Sequence, residues 1–155
     1  MIRLENYKRI HSKVMESFIK EGFVISDGIT FGEPSGGYIT LQGQIHCLGG
    51  LQIAVDKRLR ILGGTGGHVR VTTAQYSYNV SVSGRGNLIR YDSAHDHRPH
   101  HHVHRFDSEC HLVSVHEIHD ENKVPTLGDV ITEVRDLYYS PEFSDYAEGD
   151  GGGLD

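Results

Sequence analysis

The feature of the chain that most limits its fold is a two-residue alternation of apolar and polar side chains between residues 23 and 92. Such alternation is typical of strands that bury one face and expose the other. Glycine-rich segments separate the alternating runs, which favours antiparallel pairing through tight turns. The runs with this pattern are 39–47, 51–55, 69–71 and 74–82.

Two other segments follow the helical period. Near the C-terminus, Thr126 and Asp129 match a capping box, and apolar residues at helical spacing continue to about residue 139. The order helix, strands, helix predicts an α+β fold, in which an N-terminal and a C-terminal helix pack on an antiparallel sheet of about five or six strands. The N-terminal helix is indicated by apolar residues at steps of three and four before Gly22: Leu4, Tyr7, Ile10, Val14 and Phe18.

The chain of 155 residues is long enough for one hydrophobic core. We expect a single domain over residues 1–140 and a disordered tail over residues 141–155, which are acidic, rich in glycine and without basic residues. The charged residues near the N-terminus are not typical of a secretory signal, and no apolar run approaches the ~18 residues of a membrane span. We therefore expect a cytoplasmic protein with no membrane partner, in which Cys47 and Cys110 are reduced thiols.

The charge is distributed unevenly along the chain. The formal net charge is −6, yet residues 57–105 carry eight Lys and Arg against only Asp92 and Asp96. The same stretch holds seven of the twelve histidines. A local basic surface can attract a polyanion even when the whole protein is acidic, so nucleic acid is a candidate partner.

Six histidines lie within ten positions, between His95 and His104. The segment follows a strand end at which Arg90 and Asp92 share one side, so a cation stands beside an anion. After Pro99, an extended chain would point alternate side chains to opposite faces. That alternation predicts one face with His100, His102 and His104, and another with His101 and Val103.

This composition suits proton transfer at a phosphodiester. Imidazole has an unperturbed pKa of ~6.5, so a cluster at neutral pH supplies both a general acid and a general base. Metal-independent RNA cleavage needs a base for the 2′-hydroxyl, an acid for the leaving oxygen and a cation for the developing charge. DNA lacks that internal nucleophile, so this chemistry favours RNA and requires no cofactor.

Two other interpretations use the same segment. In the first, His100, His102 and His104 bind a divalent transition metal such as zinc, with Asp92 or Asp96 completing the ligands of a metal-dependent hydrolase or a metal-binding protein. In the second, the segment is a non-enzymatic surface that binds RNA or a protein partner. The histidines at 111, 116 and 119 belong to a separate alternating stretch, and we expect them to be exposed strand positions.

Four motifs follow one another along the chain: Tyr76-Ser77-Tyr78, Leu88-Ile89-Arg90-Tyr91-Asp92-x-Ala94-His95, His101-His102-Val103-His104 and Pro125-Thr126-Leu127. In this order they resemble the motifs of the TumE family of prokaryotic toxin-antitoxin systems, over roughly residues 4–138. Ser93 and Val103 stand where the family usually has Asn and Lys, and the spacer before His101 is shorter than usual.

The resemblance implies a small cytoplasmic toxin encoded beside an antitoxin. We expect a metal-independent endoribonuclease that binds RNA and is silenced by an acidic antitoxin segment lying across residues 57–105; self-association into a homo-oligomer is left open. Carried over by position, the catalytic set is His95, His101, His104, Arg90 and Asp92. The arginines expected to follow the RNA backbone are Arg85, Arg98 and Arg105.

Overall fold

The computed structural model describes residues 1–93, 101–144 and 146. Within these residues lie two α-helices and nine β-strands. No helix in this described part is long and apolar enough to cross a membrane. The helices are Leu4–Glu21 (α1) and Leu127–Tyr138 (α2). The strands are Ile2–Arg3 (β1), Val24–Asp27 (β2), Thr30–Phe31 (β3), Tyr38–Cys47 (β4), Leu51–Gly63 (β5), Arg70–Val82 (β6), Gly86–Ser93 (β7), His101–Phe106 (β8) and Leu112–Ile118 (β9).

All strands join one antiparallel sheet, which confirms the α+β class. The strand order is β2-β4-β5-β6-β7-β8-β9, while β1 pairs with β6 and β3 pairs with β4. The sheet has more strands than the five or six that the sequence predicts. Part of the difference comes from β1 and β3, which have two residues each and are too short to show an alternation.

Both helices begin and end where local signals in the sequence place them. Helix α1 ends at Gly22, whose φ of 94° lies in the left-handed region that glycine adopts at little cost. Helix α2 starts with the predicted capping box, in which the Thr126 hydroxyl accepts from the Asp129 amide and the Asp129 carboxylate accepts from the Thr126 amide. An ion pair between Arg135 and Glu21, 2.9 Å long, links the two helices.

The helices cover one face of the sheet and leave the other open. Residues 51, 53, 55 and 59 of β5 and residues 76, 78, 80 and 82 of β6 are buried on the helix-covered face. Met15 of α1 and Val130, Ile131 and Val134 of α2 complete this core. The intervening strand residues form the second surface, called here the open face, which is mostly polar.

The first residues of the expected C-terminal tail are packed against the domain. Phe143 is buried, and its ring lies 5.2 Å from that of Tyr138. Tyr146 packs on the same core, and its carbonyl accepts a hydrogen bond of 2.5 Å from Arg85. The expected boundary at residue 140 is therefore too early, because two aromatic side chains beyond it contribute to the core. Residues 147–155 lie outside the described residues.

The two cysteines are free thiols, as predicted. Cys47 is buried at the end of β4, and burial raises its pKa to about 12. Cys110 lies in the turn before β9, where its thiol donates to the Arg85 carbonyl at 3.3 Å.

The division of the sheet into two faces predicts the effect of shortening its isoleucines. Ile53 has an exposed fraction of 0%, whereas Ile25 on β2 is 62% exposed. Because Ile53→Ala leaves a cavity in the core, it should lower the free energy of unfolding by about 2–5 kcal/mol. Ile25→Ala should change it by about 0.5 kcal/mol. Urea unfolding of both variants measures the difference, and equal losses would contradict this packing.

Candidate functional site

The pairing of β7 with β8 brings four polar side chains together on the open face. The register places Arg90 opposite His104 and Asp92 opposite His102. Tyr91, between Arg90 and Asp92, is buried on the helix-covered face. The predicted division of the histidine segment, with residues 102 and 104 on one face and 101 and 103 on the other, is confirmed for these described positions.

Asp92 occupies the centre of this group. Its Oδ2 lies 3.0 Å from Arg90 Nε, which forms an ion pair. Its Oδ1 lies 3.8 Å from His102 Nδ1 and 3.8 Å from His104 Nε2. The two imidazole rings meet edge to face with their centroids 6.1 Å apart. One carboxylate therefore sits within a few ångströms of a guanidinium and two imidazoles.

Strand β9 adds a second carboxylate that the sequence analysis did not select. Glu117 pairs across the sheet with His102, and its Oε1 lies 3.3 Å from His102 Nε2. Both ring nitrogens of His102 thus face carboxylate oxygens, and only the imidazolium form can donate to both. Within the described residues, no polar partner is found for Nδ1 of His104. The two histidines are held differently, as the two roles of an acid and a base require.

His101 lies on the helix-covered face, so the structure does not bring it together with His104 as expected. Its Nδ1 lies 2.9 Å from the Tyr76 hydroxyl, and the two rings stack with centroids 5.6 Å apart. Its Nε2 lies 3.3 Å from Oε1 of Glu121. The separation arises because strand residues three positions apart point to opposite faces. His102 takes the place on the open face that the resemblance gives to His101.

Two of the three arginines expected to follow RNA, Arg85 and Arg105, are engaged elsewhere. Arg85 lies in the turn between β6 and β7, where it donates to the carbonyls of Ser108 and Tyr146. Arg105 is on the helix-covered side and pairs with Glu133 of α2 at 2.9 Å. These two guanidinium groups hold loops and a helix in place and do not border Arg90. The other predicted site residues, His95, Arg98 and His100, lie outside the described residues.

The structure supplies different cations on the open face. Arg58 and Arg60 of β5 are exposed there beside the ring of Tyr38, with Cζ to centroid distances of 4.2 and 5.9 Å. Strand spacings put Arg58 roughly 12 Å from Asp92. Between the two groups lies Asp56, which accepts from the Gln42 side chain at 3.4 Å. An aromatic ring flanked by guanidinium groups is a common platform for nucleotide bases and phosphates.

A buried amide next to Arg90 has an unused acceptor. Asn79 of β6 pairs directly with Arg90 across the sheet. Its Oδ1 is buried and has no hydrogen-bond partner among the described residues. A buried carbonyl without a partner is costly, so this position lowers the stability of the sheet beside Arg90.

The metal interpretation finds limited support in the described residues. Across residues 1–93, 101–144 and 146, no group of three or more His, Cys, Asp or Glu side chains is arranged to hold a metal ion. The expected ligand set also includes His100, which falls outside this part of the chain. His102, His104 and Asp92 are the members of that set that the structure describes, since Asp96 also falls outside it.

The helix-covered face contains a second polar group that the sequence analysis missed. Lys57 of β5 lies in register with Tyr76 and is half-buried between the apolar positions 55 and 59. Its Nζ lies 5.1 Å from the ring centroid of Tyr7 and 5.9 Å from that of Tyr78. Burial lowers the pKa of Lys57 to about 8 and raises the pKa of Tyr76 to about 12. Tyr76, Tyr78 and Tyr91 are all buried on this face, where they pack in the core.

No protein-family model matches the chain, and neither a curated protein nor a solved structure matches it. The similarity to the TumE family therefore stays a prediction carried by the motifs alone.

The buried lysine predicts a pH dependence of stability. With a pKa of about 8 in the folded state and ~10.4 in the unfolded chain, Lys57 binds fewer protons when folded between these values. Stability due to this residue is therefore lowest below pH 8 and rises as the pH increases. Relative to Lys57→Met, the wild type should gain about 1 kcal/mol between pH 7.5 and 9.

Urea unfolding of the wild type and of Lys57→Met at both pH values measures this gain. Taking the difference between the two proteins removes the contribution of the other titrating groups. A difference that does not change with pH would mean that Lys57 is well solvated.

Proposed function

We propose that the chain is a cytoplasmic RNA-binding protein of toxin-antitoxin type that cleaves single-stranded RNA without a metal ion. The observation that carries this proposal is the cluster of His102, His104, Arg90 and Asp92 on the open face. It combines two neighbouring imidazoles, whose ring centroids lie 6.1 Å apart, with a half-exposed guanidinium. These are the groups that cleavage through the 2′-hydroxyl needs.

The contacts suggest a division of roles. His104 acts as the base that takes the proton of the 2′-hydroxyl, since its Nδ1 has no partner among the described residues. His102, placed between Asp92 and Glu117, acts as the acid that protonates the leaving 5′-oxygen. The bond from the 2′-oxygen to phosphorus forms while the bond to the 5′-oxygen breaks, so the products are a 2′,3′-cyclic phosphate and a 5′-hydroxyl. Asp92 positions both rings.

Charge stabilisation falls to Arg90. Its Nε is held by Asp92, which leaves the terminal nitrogens of a side chain that is 46% exposed for a phosphate oxygen. Arg58, Arg60 and Tyr38 would bind neighbouring nucleotides. An acidic antitoxin segment that covers the same open face would block all of these groups together.

Histidine substitutions test the catalytic assignment. His104→Ala should lower the rate of cleavage of a single-stranded RNA about 10²–10⁴-fold, because a general base is removed. His111→Ala serves as the matched control, since the ring of this exposed histidine is paired only with Asp107 and Glu109 in the described residues, away from the cluster. The readout is the yield of 2′,3′-cyclic phosphate ends in the presence of a chelator.

The possible outcomes separate the alternatives. If the wild type binds RNA but never cleaves it, and His104→Ala weakens that binding, the non-enzymatic interpretation is correct and the catalytic one is wrong. Cleavage that stops on chelation and returns with zinc would establish the metal-dependent alternative. If the wild type neither binds nor cleaves RNA, the proposed function is wrong.

The cations on β5 predict a change in salt dependence. If Arg58 and Arg60 each neutralise one phosphate, the slope of log affinity against log salt should fall by about 0.7 for each arginine replaced by glutamine. Arg9→Gln is the control, because Arg9 is an exposed residue of α1 that bonds to Asn6. Fluorescence anisotropy with a labelled 2′-O-methyl RNA measures the slope without cleavage. A slope unchanged in the double variant would place the RNA elsewhere.

A further inference from the structure

Two adjoining cavities lie under the helices, on the side of the sheet opposite the open face. The larger has a volume of 550 Å³ and the smaller 340 Å³. They share Ile2, Tyr7, Lys57, Tyr78 and Thr126 in their walls. Each volume falls within the ~300–1,000 Å³ range of sites that enclose small molecules. The cavities are independent of the proposed RNA site, which uses none of these residues.

The shared wall holds a cation, Lys57, that is not neutralised by any carboxylate of the described residues. Lys57 contacts the rings of Tyr7 and Tyr78, and no carboxylate or carbonyl oxygen within the described residues pairs with its ammonium group. Its pKa, lowered to about 8 by burial, still leaves it mostly charged at neutral pH. An unpaired charge in an apolar setting is unfavourable, and an anion that enters the cavity would compensate it.

The larger cavity is polar beside this lysine. Tyr76 stands directly opposite Lys57 across the β5–β6 pair and lines the same cavity. Its hydroxyl bonds to His101, which in turn bonds to Glu121 at the rim. When His101 Nδ1 carries a proton and donates to the Tyr76 oxygen, the single Tyr76 proton is free to be donated to an anionic ligand.

The smaller cavity is apolar and continues from the same lysine. Ile10 and Val14 of α1, Ile29, and Leu41 and Val55 of the sheet line it. A ligand that reaches both cavities must carry an anionic group at Lys57 and an apolar part beyond it. A single ammonium group, with the Glu121 carboxylate nearby, matches a monoanion better than a phosphate dianion.

We propose that these cavities form a binding site for a monocarboxylate with an apolar tail, in which the carboxylate pairs with Lys57 and the tail fills the chamber between α1 and the sheet. The Tyr76 hydroxyl completes the contacts of the carboxylate. The class of ligand is a medium-chain aliphatic carboxylate.

Calorimetric titration of the full chain with decanoate tests this site. We expect saturable binding at one site per chain, at least tenfold weaker binding to Lys57→Met, and no change for Lys20→Met, a control at an exposed position of α1. Decyltrimethylammonium, with the same tail and the opposite charge, and inorganic phosphate should both bind at least tenfold more weakly than decanoate. Equal affinity of the two tailed compounds, or tighter binding of phosphate, would overturn the proposal.

A measurement on the wild type keeps the test decisive even if Lys57→Met does not fold. In protein whose lysines carry ¹³C-methyl groups, the NMR signal of Lys57 should move on addition of decanoate and titrate at higher pH than without it. Val14→Phe, which fills the apolar chamber, should weaken decanoate binding at least tenfold. No saturable binding, or a Lys57 signal that decanoate leaves unchanged, would overturn the site.

Discussion

The register between β7 and β8 is the constraint on which both surfaces of this protein depend. It sets Asp92 opposite His102 and Arg90 opposite His104, so that all four side chains project from the open face. A slip of β8 by one residue against β7 would turn His102 and His104 toward the helices and expose Val103, while Arg90 and Asp92 would stay on the open face through the pairing of β7 with β6. The register is held on the covered side, where Tyr91 donates to Glu133 of α2 and buried apolar positions leave no alternative packing.

The same sheet separates two kinds of chemistry. The open face is exposed to solvent. Its charged side chains can therefore pair with a polyanion without losing much of their hydration. The covered face combines Lys57, Tyr76 and His101 with apolar walls, where one unpaired charge has a larger effect. Adjacent residues of β8 serve both surfaces: His102 contacts Asp92, whereas His101 contacts Tyr76.

Local signals in the sequence are sufficient to predict the two helices and the face on which each described histidine of the segment lies. The end of α1 at Gly22 is confirmed, and alternation alone places His102 and His104 on the same face of β8. Transfer of motif positions selected His101 instead, because it does not consider which face a residue occupies. Lys57 continues the alternation of β5 at a position that should be apolar. This placement indicates a buried lysine, whereas its charge alone indicates only a basic surface. Glu117 could not be foreseen, since its neighbour depends on how β9 pairs.

The proposed function requires RNA to occupy the open face at His102 and His104. It is tested most directly by histidine ring NMR of the wild type during titration with an uncleavable 2′-O-methyl RNA trinucleotide. The ring signals of His102 and His104 should shift together and saturate with one binding constant, while those of His101 and His111 stay in place. Shifts at His101 without shifts at His104, or no saturable shift of His102 and His104, would contradict the account.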